Sequence, residues 1–194
     1  MNNDDSHNSK ANLEFTVEVI VREPSVVSKR LEELQLDKRT LLEIAKKTLS
    51  AANEITESHP PGTLGSRRYS EFIKYMTDAN FSGWEGYSEK NICGILNRSL
   101  QVLLLYQNVT VACDVDFWPQ PIIPKRDGVK KLCYVNTPYL QESSDLEQLS
   151  LLPVDNNIIH SVEEISKAKK VYICMFDLEG ALEISCPLLD NKGQ

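Results

Sequence analysis

The chain has 194 residues, of which 41% are apolar and 25% are charged, a composition typical of a folded globule that excludes a disordered or fibrous architecture. This length is sufficient for one domain with a substantial hydrophobic core. The formal net charge of -7 argues against extensive nucleic-acid binding, which needs lysine and arginine to displace counterions from phosphates.

The cysteine content and the N-terminal sequence indicate a cytoplasmic protein. The five cysteines are widely spaced and lie mostly in apolar stretches, where a free thiol packs as a small hydrophobic group. The first residues are polar and acidic, unlike a signal peptide, and no apolar run approaches the roughly 20 residues that a membrane helix requires. We therefore expect a soluble protein without a membrane partner.

The N-terminal part of the chain is predicted to contain a tail, a strand and a helix. Residues 1–11 are polar and predict a disordered tail, whereas residues 12–194 predict a single domain. Apolar and polar residues alternate over residues 13–19, as in a half-buried strand. Asp37 is predicted to cap an amphipathic helix that ends near Glu54, because apolar residues recur after it at helical spacing.

A stiff corner follows this helix, because the sequence His-Pro-Pro-Gly at residues 59–62 restricts the backbone to extended conformations. A second amphipathic helix is predicted over residues 66–79, where large apolar side chains recur at spacings of three, four and seven. Trp84 and Tyr87 are predicted to lie in the next loop and to cover the end of the helical pair.

The second half of the chain has the pattern of β-strands. Strands are predicted over residues 100–106 and 109–115, with Gln107-Asn108 as the turn of a hairpin. Three prolines within residues 117–124 exclude a central strand and predict a rigid, extended surface loop. We expect this loop and the His-Pro-Pro-Gly corner to converge on one preformed surface, since rigid loops often carry function.

The C-terminal part combines an acidic stretch at residues 141–157, a short helix at residues 161–168 and a hairpin. The hairpin is predicted from a buried strand at residues 171–176 and an antiparallel partner at residues 181–188. Helices are thus segregated from strands along the chain, which predicts an α+β fold with a mostly antiparallel sheet and two packed amphipathic helices. A doubly wound parallel sheet is the second choice.

Three carboxylates form a candidate metal site. Asp114 and Asp116 flank Val115, so that they project from the same face of the predicted strand and can share Mg²⁺ or Mn²⁺ with Glu183. With Lys125 nearby, this is a residue set suited to a metal-dependent nuclease or phosphodiesterase. Such sites usually carry a lysine two residues after the last carboxylate, which this sequence lacks. The alternative is that both aspartates form the polar end of a strand.

A second candidate site surrounds His59. As a general base or ligand this residue requires a partner, and three neighbours can supply one: Glu54, Glu57 and Tyr69. Alternatively, His59 hydrogen-bonds the backbone and stabilises the corner. Arg67 and Arg68 follow near the start of the second helix, where they are placed to hold an anion.

Several enzyme motifs are missing from the sequence. It contains no C-x-x-C or H-x-x-x-H pair for zinc, no phosphate-binding lysine loop, no dinucleotide-binding glycine fingerprint and no G-x-S-x-G elbow. No cysteine has a neighbouring histidine or helix N-terminus that would activate it as a nucleophile. These absences favour a binding module without a cofactor and leave open whether the chain is an enzyme.

Several short motifs resemble a group of uncharacterised bacterial proteins, in which an Asn-His-Pro-Pro-type corner precedes a Gly-Trp pair and a loop with proline and lysine. The motifs that carry the resemblance are residues 52–56 and 59–62, Tyr69, Gly83-Trp84, Gln107-Asn108-Val109, Ala112-Cys113, Pro124-Lys125 and the strands at 171–176 and 182–187. The likeness spans residues 40–189. It departs from the group's pattern at Ser58, where asparagine is usual, and at Arg126-Asp127, where a glycine usually follows the lysine.

The resemblance implies a bacterial cytoplasmic protein of the kind involved in phage and host conflict, and a short or truncated member, because relatives continue into another strand. It implies no catalytic residues. We therefore expect a non-enzymatic binding module that recognises a protein or a small anionic ligand through one surface. The candidate binding residues are His59, Arg67, Arg68, Trp84, Trp118 and Lys125. The alternative is the metal-dependent nuclease described above.

Overall fold

Helices and strands follow one another in the order α1-α2-α3-β1-β2-β3-α4-β4-β5. The computed structural model describes residues 21–114, 116–117, 119–122, 127–136 and 168–187. The helices are α1 (Pro24–Glu33), α2 (Lys38–Ala52), α3 (Thr63–Asp78) and α4 (Asp127–Cys133), with a 3₁₀ helix at Tyr134–Asn136. The strands are β1 (Trp84–Glu89), β2 (Ile92–Asn97), β3 (Val102–Asn108), β4 (Lys170–Phe176) and β5 (Leu182–Ser185).

Local sequence signals explain where the first three helices begin. Pro24 occupies the first turn of α1, where its missing N–H removes no helical hydrogen bond. Asp37 caps α2, as predicted, by accepting a hydrogen bond from Thr40 N at 2.7 Å. Gly62 precedes α3 with φ of 85°, a left-handed conformation that favours glycine. The sequence predicted α2 and α3, whereas α1 was not predicted.

The strands form one five-stranded sheet in the order β1-β2-β3-β4-β5. Strands β3 and β4 are parallel, with Val102 opposite Lys170 and Asn108 opposite Phe176, and the other neighbouring pairs are antiparallel. The predicted α+β class, with a mostly antiparallel sheet and two packed amphipathic helices, is therefore confirmed. The parallel pair requires a crossover connection, and α4 lies within it.

Helices cover both faces of the sheet. One face packs against α1, α2 and α3 through a core that includes Leu104, Tyr106 and Phe176. The opposite face packs against α4 through a core that includes Leu103 and Leu105. Because both faces of β3 are buried, its sequence is almost continuously apolar and does not alternate.

The strand register defines two ends of the sheet. One end, which we call the Trp84 end, contains Trp84, Asn97, Val102 and Lys170. The other, which we call the Asn108 end, contains Asn108, Phe176 and the segments that follow β3 and β4. Any candidate site residue can therefore be assigned to one end or the other.

The predicted hairpin over residues 100–115 is wrong. Gln107-Asn108 lies inside β3 and does not form a turn. The chain then leaves the sheet, with a single isolated bridge between Val109 and Pro121. The partner of β3 on this side is instead β4, which is reached through the crossover.

The prediction that Trp84 and Tyr87 lie in a loop is also wrong, since both belong to β1. This strand pairs with β2 through a two-residue turn, Lys90-Asn91, with positive φ at both positions. Such a turn matches the twist of the two strands it joins.

The strand predicted over residues 171–176 and its antiparallel partner are confirmed as β4 and β5. Other predictions lie outside the described residues: the tail at 1–11, the strand at 13–19, the acidic stretch at 141–157 and, up to residue 167, the helix at 161–168.

Candidate functional site

Asn108 connects three segments at the Asn108 end of the sheet. Its Nδ2 donates to Gly65 O at 3.1 Å, and its backbone oxygen accepts a hydrogen bond from Ile122 N at 3.1 Å. The first turn of α3, the end of β3 and the proline-rich segment are therefore tied together. Because the His-Pro-Pro-Gly corner leads directly into α3, the described part of the proline-rich segment lies at the same end of the sheet as the corner. That the two form one surface stays a prediction.

Arg68 is the buried anchor of the Asn108 end. Its side chain is 1% exposed, and Nη2 donates to Phe176 O at 3.2 Å and to Asp177 O. The guanidinium carbon lies 4.9 Å from the centre of the Phe176 ring, a cation–π distance. Arg68 was predicted to hold an anion, but its side chain is buried in the interior of the fold.

Asp177 organises the turn between β4 and β5. Its side chain is buried, and Oδ1 accepts hydrogen bonds from three successive backbone N–H groups, those of Glu179, Gly180 and Ala181. Oδ2 accepts a further bond from Ala112 N at 3.1 Å. The turn chemistry was visible in the sequence, but the link to Ala112, which fixes the segment after β3, was not.

Arg67 lies between two carboxylates. Its Nη1 is 3.0 Å from Glu71 Oε1, and its Nη2 is 3.9 Å from Glu54 Oε2. Both partners of the longer pair are substantially exposed, so that pair contributes little to stability. Even so, the carboxylates of Glu54 and Glu71 balance the positive charge of Arg67.

His59 is exposed, and its ring contacts the corner itself. The Nδ1 atom accepts a hydrogen bond from Thr56 N at 3.0 Å and lies 3.1 Å from Thr56 Oγ1. This bond requires the neutral ring to carry its proton on Nε2. No hydrogen bond joins His59 to Glu54, Glu57 or Tyr69 in the described part of the chain. The geometry matches the alternative prediction, in which His59 stabilises the corner.

The three candidate metal ligands are only partly brought together. Asp114 Oδ1 accepts hydrogen bonds from Asp116 N at 2.8 Å and Phe117 N at 3.3 Å, so the chain turns here and the predicted strand is wrong. Glu183 Oε2 accepts a hydrogen bond from Cys113 N at 2.9 Å, which brings it beside this turn. Among the described residues, no group of three or more His, Cys, Asp or Glu residues is arranged to hold a metal ion. Binding of Mg²⁺ or Mn²⁺ stays a prediction.

The Cys113 thiol is not activated by its surroundings. Partial burial, followed by the nearby carboxylates of Glu183 and Asp177, raises its pKa. Its Sγ donates to Leu182 O at 3.3 Å. A thiol with a raised pKa is a poor nucleophile near neutral pH.

The remaining candidate binding residues lie apart from this end or outside the described residues. Trp84 is half-buried at the Trp84 end, where its Nε1 donates to Leu34 O at 2.9 Å. The structure therefore does not bring Trp84 together with His59. Trp118 and Lys125 lie outside the described residues.

Exposed apolar side chains mark the Asn108 end. Seven large hydrophobic residues of the described chain are exposed. Four of them lie at this end: Leu64 (41%), Phe117 (68%), Ile122 (46%) and Leu178 (58%). The sequence analysis placed Phe117 and Ile122 in the predicted surface loop but named none of the four as a candidate binding residue, because it selected residues by their chemical groups. Their positions beside Gly65, Asp114, Asn108 and Asp177 depend on contacts between distant segments.

Comparison of the chain with protein-family models, with curated proteins and with solved structures finds no match in any of the three. The resemblance to the bacterial group therefore stays a prediction. None of the described helices combines the length and apolar character needed to cross a membrane. The candidate site rests on the geometry of the Asn108 end.

Proposed function

We propose that this chain is a non-enzymatic binding module that recognises a protein partner through the Asn108 end. The observation that carries this proposal is the grouping of Leu64, Phe117, Ile122 and Leu178 as exposed side chains at one end of the sheet. Grouped exposed apolar residues are typical of interaction surfaces, whereas single ones are ordinary. A role in phage and host conflict, implied by the resemblance, belongs to the same proposal.

The backbone beneath these side chains is held by hydrogen bonds, which supports recognition at a low entropic cost. Leu178 lies in the turn organised by the Asp177 carboxylate. The N–H of Ile122 donates to Asn108 O, and Leu64 lies in the first turn of α3. Little ordering is therefore needed when a partner binds.

Of the two ligand classes predicted from the sequence, a protein is favoured over a small anion. An anion site needs cations that face solvent, and the two arginines that the sequence analysis selected for this role are engaged elsewhere. Arg68 is buried against backbone oxygens, and Arg67 is flanked by Glu54 and Glu71. The apolar side chains, by contrast, are exposed.

The proposal is tested with two charged substitutions and a matched control. Leu178→Asp and Ile122→Asp place a carboxylate on the proposed surface, and Leu42→Asp does the same at a 45% exposed leucine near the start of α2. Partners captured from cell extract by the wild-type protein are identified, purified and titrated by calorimetry. We expect roughly tenfold or greater weakening for the first two variants and unchanged affinity for the control. A partner that binds all variants equally would overturn the proposal.

The hypothesis of a metal-dependent nuclease has a separate test. Cleavage of plasmid DNA or an oligonucleotide is measured with Mg²⁺ or Mn²⁺ for the wild type and for Asp116→Asn. If metal-dependent cleavage disappears in the variant, the binding-module hypothesis is wrong. The protein is then an enzyme that uses Asp114, Asp116, Glu183 and Lys125. We expect no such cleavage, because the Asp114 and Glu183 carboxylates already accept backbone hydrogen bonds.

A further inference from the structure

We propose that the outer edge of β5 is a docking site for an extended strand, and that its occupant is residues 13–19 of the same chain. These residues lie outside the described part of the chain, and their alternation of apolar and polar side chains predicts a half-buried strand. The inference goes beyond the proposed function, because a strand-docking edge does not depend on a protein partner at the Asn108 end.

The outer edge of β5 presents backbone groups that β4 does not use. Asp177 N donates to Ala181 O at 3.2 Å, so these residues form a hydrogen-bonded pair of the β4–β5 hairpin. Such pairs alternate with non-hydrogen-bonded ones, and the backbone N–H and C=O groups of Leu182 and Ile184 therefore point away from β4. Within the described residues, Leu182 O accepts the Cys113 thiol, and the outward groups of Ile184 have no partner. This edge can accept a further strand.

Helix α1 lies near this edge and is incompletely covered. Its Leu31 packs on the core that includes both apolar residues of β5. Burial and then the neighbouring Cys186 thiol raise the pKa of Tyr172 on β4, and Arg30 of α1 opposes the shift, so α1 lies beside the β4–β5 pair. Of the four described helices, α1 alone has no buried residue, and Val26 is 40% exposed. A strand beyond β5 would extend the sheet beneath α1 and bury its apolar stripe.

The described chain begins beside β5. The Nη2 atom of Arg22 donates to Cys113 O at 2.6 Å, and Cys113 in turn donates hydrogen bonds to Glu183 and Leu182. Residue 19 is three residues before Arg22, a span of at most about 10 Å. The other edge strand, β1, lies four strand spacings from β5, or about 19 Å. The β5 edge is therefore the nearer of the two for residues 13–19.

The direction of α1 determines how the segment would pair. The helix begins after Arg22 at the Asn108 end and leads to Leu34, whose oxygen accepts the indole N–H of Trp84 at the other end. A strand that enters α1 at the Asn108 end runs antiparallel to β5, which begins at that end. Its apolar residues would lie opposite Leu182 and Ile184, on the face that packs against α1. These apolar residues are Leu13, Phe15, Val17 and Val19.

This arrangement provides two matched proline variants. Residues opposite Leu182 and Ile184 exchange both backbone hydrogen bonds with them, so the N–H of Val17 faces β5 and the N–H of Thr16 faces away. Proline has no N–H. Val17→Pro therefore removes a hydrogen bond to β5, whereas Thr16→Pro places proline where an edge strand tolerates it.

The experiment measures hydrogen exchange of single backbone amides in the full-length protein by NMR. The Ile184 amide reports on the β5 edge. The Gly86 amide is the reference for an unpaired edge: Trp84 N, two residues earlier on β1, donates to Phe81 O and not to β2, so the Gly86 N–H also points away from β2. After correction for intrinsic rates, we expect Ile184 to exchange at least about 100-fold more slowly than Gly86.

The variants test which segment protects Ile184. We expect its amide to exchange at least about tenfold faster in Val17→Pro and to change by less than about threefold in Thr16→Pro. Protection that survives Val17→Pro would overturn the proposal, as would equal exchange of Ile184 and Gly86 in the wild type. Equal acceleration in both variants would overturn the pairing of the apolar residues with β5.

Two measurements on the wild type need no variant to fold. Cross-strand nuclear Overhauser contacts are expected between Ile184 and residues 13–19, and their absence would overturn the proposal. Sedimentation and exchange are also measured after tenfold dilution, and we expect a monomer with unchanged protection of Ile184. A dimer that loses this protection on dilution would mean that a second copy supplies the strand, which would overturn the assignment to the same chain.

Discussion

The two ends of the sheet are held by the same kind of hydrogen bond, from a side chain of one element to the backbone or side chain of another. At the Trp84 end, Trp84 donates to Leu34 O, and the buried Asn97 donates to Gln35 and accepts from Leu100 N. At the Asn108 end, Asn108 and Arg68 have the corresponding roles. Helices and sheet are thus connected at both ends.

The ends differ in the direction of their large apolar side chains. The indole of Trp84 packs into the core at its end, whereas Phe117, Ile122 and Leu178 point outward at the other. At the exposed end, Leu178 lies in the turn held by Asp177, and the N–H of Ile122 donates to Asn108 O. An anchored, exposed apolar surface is what recognition requires, and the following predictions test each part of this contrast.

The largest expected effect is that of Arg68→Ala at the Asn108 end. The substitution removes a buried cation together with its hydrogen bonds to the Phe176 and Asp177 oxygens, and it opens a cavity. We expect the free energy of unfolding to fall by about 3 kcal/mol in urea denaturation. The control, Arg39→Ala, removes an exposed side chain whose ion-pair partner, Glu43, is also exposed, and should cost less than about 1 kcal/mol. Equal losses would mean that Arg68 is not an anchor.

A somewhat smaller loss is expected for Asn97→Ala at the Trp84 end. Asn97 is fully buried. Its side chain donates a hydrogen bond to Gln35 and accepts hydrogen bonds from the Ser99 hydroxyl and Leu100 N. Its removal should lower the free energy of unfolding by about 2 kcal/mol. Ser99→Ala removes one of these bonds at an exposed residue and should cost clearly less. A similar cost for both substitutions would mean that the other hydrogen bonds of Asn97 do not stabilise this end.

Trp84→Phe separates stability from recognition. It removes the donor to Leu34 O and should reduce the free energy of unfolding by about 1 kcal/mol. Binding of the captured partner should stay unchanged, because Trp84 lies at the opposite end from Leu178. Weakened binding without unfolding, measured by calorimetry, would extend the interaction surface to the Trp84 end.

The smallest effect concerns the pH dependence of the α2 cap. Hydrogen bonds from the Thr40 hydroxyl and N–H lower the pKa of Asp37 below its ordinary value of 3.8. A lowered pKa in the folded state contributes stability above that ordinary value, and the contribution is lost as pH falls through the folded pKa. Asp37→Asn should therefore differ from wild type at pH 6 and converge with it in acid. A difference that persists or grows in acid would refute this explanation.

Sequence reasoning succeeded where the determining contacts are local. The Asp37 cap and the periodicity of α2 and α3 involve residues a few positions apart, and so do the turn at Asp177 and the strands on either side of it. It failed for β1, where Gly86 interrupts the strand pattern. The structure explains this glycine, since a Cβ at Gly86 would lie only 3.0 Å from Thr77 Cγ2 on α3.

In the candidate site, too, sequence reasoning found local features and missed the contacts between distant segments. The sequence analysis expected the corner and the proline-rich segment to form one surface. The structure ties α3, which follows the corner, and the described part of that segment to Asn108 at one end of the sheet, a link that was not foreseen. It selected His59, Arg67 and Arg68 for their reactive or charged groups. The fold uses His59 and Arg68 to hold the backbone, and it pairs Arg67 with neighbouring carboxylates.

The sequence by itself determined the fold class, two of the helices and the closing hairpin, since these follow from spacing and turn chemistry within short windows. Only the tertiary structure decided that β3 pairs in parallel with β4, and which side chains face outward at the Asn108 end. Arg68 and Asp177 are 109 residues apart in the chain, yet their contact fixes the turn that exposes Leu178. Exposure is a property of segments brought together by folding, and no local pattern encodes it.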